Sequence, residues 1–514
     1  MNHRVTPPFK VIAAVDLGTN SFHMIIARVM ADGGIHILDR MREMVRLGGG
    51  LDEAGNLDDA SRIRAIHCLE RFGQRLRGMP AGAVRAVGTN TLRRARNATP
   101  FLRQAREALG FPVEVIAGRE EARLIYLGVS HSLPDAPGNR LVIDVGGGST
   151  EFIIGEGFES RHRESLIMGC VSYSLRHFPQ GIVTEAAMRA AELAAAQELR
   201  IIRPRYRAIG WETAVGSSGT VNAVQDILVA NRWSTEGITP QGLQTLRQTL
   251  IDVGRTAELA LPGLPLERAP VLPGGVAILS AIFENLGLTH LNVSDGALRE
   301  GLVYDLLGRL VDEDVRDRTI RSLIRRYQID LSQARRVERT ALSLLAQIGS
   351  EFAWPGRTDE YRHMLSWAAL LHELGLTIAH AAYHRHGAYV VANSDMPGFS
   401  RTEQQILGAL IRGHRRRMPL ELFEALPEGY LETTWRLCVI LRLAVLLHHS
   451  RTHATLPDPV IDFKPNKRSV RLSLPEGWLD CNPLTRADLE SEAAYLKAVG
   501  IKLRFDRERL PCVM

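Results

Sequence analysis

No two of the five cysteines, Cys68, Cys170, Cys438, Cys481 and Cys512, form a C-x-x-C pair, and their number is odd. That scatter argues against a disulfide framework and against a thiolate metal site, and it fits a reducing compartment, the cytoplasm. Long apolar runs are missing as well. Val11 to Val15 has only Lys10 ahead of it and stops at Asp16, too little for a secretory leader, while Leu437 to Leu447 is broken by Arg442. Both fall short of the roughly eighteen residues that cross a membrane, so no transmembrane segment is expected. No low-complexity tract interrupts the chain.

What is present is enough apolar material for several cores. With 514 residues, 45% of them hydrophobic, the chain exceeds what one core organises, and three or four domains are expected. The formal charge of +6 fits either a solvated basic surface or a polyanionic partner.

An internal repeat organises the first half. The apolar run VIAAV leads into Asp16-Leu-Gly-Thr-Asn-Ser21 and resumes from Phe22 to Val29; later LVI leads into Asp144-Val-Gly-Gly-Gly-Ser149 and resumes at Glu151 to Ile154. Each copy reads as a β-hairpin with a short, glycine-bearing, hydroxyl-tipped turn and an Asp closing its first strand. Two such hairpins suggest duplicated lobes facing one cleft. Between them the pattern predicts a helix over 57–77, a strand at Val84 to Val87, a helix capped by Thr99 with Pro100 at its first position and ending near Gly110, a strand at Val113 to Ile116, and a helix over 118–131. Thr213 to Val215 then meets the small-residue turn 216–220 before a further helix, and a strand at His290 to Val293 precedes a helix from Gly296 to Leu310. A mixed α/β architecture follows. The charged run VDEDVRDR marks a boundary near 311–320; helices continue to about His449, and short alternating patterns such as Val470 to Leu474 close the chain.

Glycine and hydroxyl loops let successive backbone amides approach one phosphate, because no Cβ stands in the way. Residues 16–21, 144–149, 216–220 and 294–296 are such loops. Any one is an ordinary tight turn; the order hairpin, hairpin, turn-helix, turn-helix resembles the actin, sugar kinase and Hsp70 superfamily, which implies a phosphoanhydride ligand. Asp144 and Glu151 flank the second turn, where their carboxylates could share a hard cation such as Mg²⁺, though an Asp capping its own turn is the plainer reading. Glu120 and Glu121 open a helix, where acidic residues are favoured by the dipole in any case, and because neighbours diverge by roughly 100° only one can face a cleft. A carboxylate there could deprotonate an attacking water, and Arg93 could clamp a phosphate.

The segments VDLGTNSFHMIIARV, GTNTLRRARNATPF, AGREEARLIYLGV, LVIDVGGGSTEFIIG, MGCVS, GSSGTV and SDGALREGLVYD together resemble the exopolyphosphatase and guanosine pentaphosphate phosphohydrolase family. The resemblance implies two actin-like, RNase H-like lobes (1–126 and 127–310), with Glu121 as catalytic base and Asp144 and Glu151 as metal carboxylates. Phosphate contacts are expected from Asp16, Asn20, Ser21, Arg93, Gly146, Gly147, Gly148, Ser149, Ser217, Ser218 and Gly219. WAALLHELGLTIAH with HRHGAYVVANSDMPGFS resembles the family's HD-like third domain, here an all-α segment over 311–455, followed by a small strand-containing domain over 456–514. His372 is followed by Glu373 where an HD pair needs Asp, which speaks against a metal there; His363, His380, His384 and His386 then read as core or surface residues of a helical bundle. Arg412, Arg415, Arg416 and Arg417 form either a solvated helix end or a remote grip on a long anion.

The expected activity is release of terminal phosphate from inorganic polyphosphate, processively from one end if a channel holds the chain. Hydrolysis of the alarmone pppGpp is the alternative within the same chemistry, and an actin-like kinase or a non-catalytic polyphosphate binder the alternative outside it. The family likeness implies Mg²⁺ as cofactor, leaves room for K⁺ as activator, and implies a homodimer; nucleic acid is not expected as a partner.

Overall fold

A computed structural model describes residues 9–30, 34–52, 54–133, 137–310, 314–348, 360–427, 429–451, 456, 458–463 and 468–505. Cys512 lies outside them. The chain forms two compact units, Met1–Asp314 and Val315–Met514. The two expected lobes fall in the first unit and the expected helical and strand-containing segments in the second.

The first unit is a duplication. Strands β1 (Val11–Leu17), β2 (Phe22–Val29) and β3 (Ile35–Glu43) form an antiparallel meander, and β4 (Val84–Gly88) and β5 (Val113–Val115) add parallel strands beside β1, giving the order β3-β2-β1-β4-β5. The second sheet repeats this: β6 (Arg140–Val145), β7 (Thr150–Glu156) and β8 (Glu159–Leu166) are the meander, and β9 (Thr213–Ser217) and β10 (Asn292–Val293) run parallel beyond β6. This duplicated actin-like arrangement follows from the apolar patterning. Every residue of β6 is buried, as a strand covered on both faces requires, whereas edge strand β3 alternates exposed and half-buried positions.

The last helix of each lobe, Gly118–Ser132 and Leu298–Leu310, packs against the other. Glycine permits the approach: a Cβ at Gly128 would lie 2.1 Å from the Ala297 carbonyl oxygen. A charge network seals the contact, with Arg123 paired bidentately to Glu120 at 2.8 Å and also to Asp305, which Arg85 and Arg309 hold as well.

Two local expectations shift. The helix at 98–109 begins at Ala98, so Thr99 and Pro100 sit inside its first turn, where the missing proline N–H costs nothing. Asn97 precedes it and uses its amide to bind both the N–H and the carbonyl of Leu57, at 2.9 and 3.0 Å. The strand at 290–293 shortens to Asn292–Val293, and the following helix starts at Leu298.

In the second unit, helices from Val315 to Leu447 surround the buried Trp367. A sheet of β11 (Val460–Phe463), β12 (Ser469–Ser473) and β13 (Lys502–Phe505) follows, and its Phe463, Leu472 and Leu503 join the same hydrophobic cluster as Val337, Leu410 and Leu441. Helices and sheet thus share one core. Arg442, which breaks the apolar run, is 1% exposed; it pairs with Glu492 and donates to the Arg416 carbonyl at 2.6 Å. Among the described residues one helical stretch, Leu266–Leu286, is long and apolar enough to cross a membrane, and 72% of its most apolar window is buried. Leu272, Val276, Leu279 and Ile282 within it belong to the core of the second lobe, which accounts for their apolarity.

Candidate active site

Pairing across the hairpins decides where the acidic residues point. Asp16 lies opposite His23 on β2, and Asp144 directly opposite Glu151 on β7, so each pair shares one face of its sheet. Asp144 also pairs in register with Ser217 on the parallel strand β9. The turns beyond these residues are fixed from behind. Thr19 and Asn20 carbonyls accept from the amides of Gly48 and Arg46 at 2.8 and 2.7 Å; Gly146 and Gly147 carbonyls accept from the first turn of the Cys170–His177 helix at 2.9 and 3.0 Å.

The two turns meet. A Cβ at Gly147 would lie 2.9 Å from the Thr19 Cβ, so glycine is what lets one lobe's turn close on the other's. At the third loop Ser218 adopts φ +100°, a conformation that costs a non-glycine residue on the order of 1–3 kcal/mol, and its hydroxyl caps the Gly219–Ala230 helix by accepting from the Thr220 and Val221 amides.

All four loops open into one cleft of about 470 Å³. Its lining includes Asp16, Asn20, Ser21, Glu121, Asp144, Gly146, Gly147, Gly148, Ser149, Ser218, Gly219, Ser294 and Asp295. Three expected residues stand behind that surface. Glu151 is 1% exposed and accepts from the Ser165 hydroxyl at 2.8 Å; Ser217 is fully buried and donates to the Gly296 carbonyl at 2.9 Å. Arg93, expected against phosphate, is held by Glu121 Oε2 at 2.6 Å and the Ile116 carbonyl at 3.0 Å. Of the adjacent pair, Glu121 faces the cleft and Glu120 the lobe-lobe network.

The cleft carries more negative charge than it neutralises. Burial, then the charge of Glu121, pushes Asp144 up to about 7 and Asp16 and Glu151 well above the usual carboxylate range. Asp16 Oδ1 and Asn20 Nδ2 are buried without a hydrogen-bond partner. The unpartnered Asp16 oxygen suits a cation and the unpartnered Asn20 amide suits an anion such as phosphate. Among the described residues no three His, Cys, Asp or Glu side chains form a metal-holding group. Asp144 and Glu151, opposite each other on β6 and β7, are the residues that would hold a Mg²⁺ ion.

The cleft is also lined by Arg40, Arg42, Arg268 and Arg299. Burial, then the charges of Arg299, Arg42 and Arg268, pushes His23 down to about 3, leaving a neutral ring beside the Ser21 hydroxyl at 2.8 Å. Sequence reading missed all four arginines. Arg299 sits inside the quoted SDGALREG segment; Arg40 and Arg42 alternate along β3 as any exposed edge strand would, and Arg268 carries no pattern.

In the second unit, His372 and His414 donate through Nδ1–H to the carbonyls of Ala369 and Ile411, 2.7 and 2.6 Å away. Glu373 is paired with Arg451. Arg415 stacks 4.7 Å over Tyr383, Arg412 is half-buried, and Arg416 and Arg417 are exposed.

Comparison with known proteins gives the same placement. The sequence model of the Ppx/GppA phosphatase family matches residues 25–310, and that of Ppx/GppA phosphatase domain III matches 315–493. An exopolyphosphatase from Cytophaga hutchinsonii is 25% identical, covering 58% of this chain and 98% of its own, with a TM-score of 0.53. An exopolyphosphatase-like protein is 26% identical over 58% and 98%, also at 0.53, and the Aquifex aeolicus Ppx/GppA family member is 28% identical over 60% and 99%, at 0.49. The chain belongs to the Ppx/GppA phosphatase family and is a hydrolase of phosphoanhydride bonds.

Proposed function

We propose that the chain is an exopolyphosphatase that removes terminal phosphate from inorganic polyphosphate, with Glu121 as general base. One observation carries the reading: the Glu121 carboxylate opens into the same cleft as both glycine-bearing hairpin turns and the carboxylate of Asp144. A terminal phosphoryl group cradled by the amides of Gly147 to Ser149 would lie within reach of a water facing Glu121. Glu121 takes one proton as the water oxygen bonds to phosphorus, the bridging P–O bond breaks, and its electron pair leaves on the shortened chain. Mg²⁺ held by Asp144 and Glu151, when bound, supplies charge neutralisation on the phosphate oxygens. Arg40, Arg42, Arg268 and Arg299 are disposed to hold the following phosphates, and the similar Cytophaga hutchinsonii protein is an exopolyphosphatase.

The test is phosphate release from long-chain polyphosphate and, separately, from pppGpp, with Mg²⁺ and with or without K⁺, by wild type and Glu121→Gln. Loss of about 10²–10⁴-fold in kcat in the variant supports the base. A higher kcat/KM on pppGpp would replace polyphosphate as the substrate, and a fully active variant would remove Glu121 from the mechanism.

A further inference from the structure

We propose that Arg93 is a positioning residue, which holds the Glu121 carboxylate aimed into the cleft without touching phosphate. The proposal rests on the reading of Glu121 as the base.

Arg93 belongs to the short Asn90–Arg94 helix just after β4, and its side chain is 9% exposed. Nη1 donates at once to Glu121 Oε2 and to the Ile116 carbonyl just beyond β5. The second bond ties the guanidinium to backbone, so its position is set whether or not a ligand is present. Packing restricts it further: a Cβ at Gly118 would lie 3.7 Å from Arg93 Nη2 and 2.6 Å from the Ser165 hydroxyl. Glu121 lines the cleft and Arg93 does not.

By engaging Oε2 at 2.6 Å, Arg93 fixes the orientation of the carboxylate and leaves Oε1 for the water. A phosphate clamp would need the guanidinium fork open to the ligand, and here one arm is committed to two protein oxygens.

The experiment uses the full chain with long-chain polyphosphate and Mg²⁺, comparing Arg93→Ala, Arg93→Lys, Glu121→Gln and the Arg93→Ala/Glu121→Gln double variant. Arg93→Ala is expected to lose about 100-fold in kcat, with KM within about threefold of wild type. Added guanidinium ion should restore part of that loss, and Arg93→Lys, which keeps the buried charge and is readable even if the alanine variant does not fold, should lie between. The double variant should be no slower than Glu121→Gln alone, because Arg93 acts only through that carboxylate. A raised KM at unchanged kcat in Arg93→Lys would overturn the proposal in favour of a phosphate clamp, as would losses that multiply in the double variant. Full activity in Glu121→Gln would instead remove the base itself, a result separate from either.

Discussion

Glu120 and Glu121 are neighbours in the first turn of one helix, yet Glu120 closes a buried bidentate pair with Arg123 while Glu121 lines the cleft. The roughly 100° between successive side chains makes the division unavoidable. Glu121→Gln should therefore lose activity. It removes the partner of the buried Arg93 but also relieves the repulsion on Asp144 and Asp16, so its melting temperature should fall less than that of Glu120→Gln. Glu120→Gln should do the reverse, destabilising the first unit by about 3–5 kcal/mol, because it leaves Arg123 and Asp305 in a broken buried network. Thermal unfolding beside kcat for the two variants separates the assignments.

The raised proton affinity of Asp144 predicts a pH-dependent demand for Mg²⁺. With its carboxyl pushed up to about 7 by burial and by Glu121, the group is mostly protonated at pH 6 and mostly ionised at pH 8. A cation must displace that proton, so the Mg²⁺ concentration for half-maximal rate should fall by about tenfold from pH 6 to pH 8. Mg²⁺ titration of the rate at both pH values checks it, and Asp144→Asn should flatten the dependence while weakening Mg²⁺ activation throughout.

How far the sequence reached depends on the range of the contacts. The hairpins were legible because strand, turn and returning strand are contiguous, and the pairing of Asp144 with Glu151 follows from the length of the turn between them. The residue pattern narrowed the base to Glu120 or Glu121 and the family resemblance picked Glu121; what fixes Glu120 elsewhere, its pair with Arg123, is tied to Asp305, which lies 182 positions from Arg123. The partners of Arg93 were hidden for the same reason. Its position after a strand fits a phosphate contact, and the Glu121 and Ile116 oxygens that hold it lie 28 and 23 residues away. The sharing of one core by helices and terminal sheet in the second unit was invisible, because Phe463 and Leu503 look like any alternating strand residues until the helices they cover are in place.

Acid should weaken the second unit. Burial pushes His372 down to about 4 and His414 well below its usual range, so both stay neutral in the fold while an unfolded chain would protonate them near 6.5. Between about pH 6.5 and 4 the unfolded state then binds more protons, and stability falls with pH by up to about 1.4 kcal/mol per unit for each histidine. Above 6.5 neither state is protonated and the effect vanishes. Chemical denaturation of the full chain at pH 7 and pH 5, with His372→Gln as the comparison, measures it: the variant should lose less stability on acidification than the wild type.

The arginines lining the cleft yield the least intuitive expectation. The Arg268 guanidinium lies against Gly219, where a Cβ would be 1.9 Å from Nη2, at the N-terminus of the Gly219–Ala230 helix. A cation at the positive end of a helix dipole is unfavourable, and burial adds to the cost by lowering the affinity of Arg268 for its proton. An anion bound beside both the guanidinium and the helix end reverses both effects at once. Arg268→Ala should accordingly leave the ligand-free protein as stable as the wild type or more so, by up to about 1 kcal/mol, while raising KM for polyphosphate and shrinking the thermal shift that polyphosphate produces. Melting curves with and without polyphosphate decide the matter. A variant less stable without ligand, yet equally stabilised by it, would mean that Arg268 serves the fold and the phosphate chain runs elsewhere.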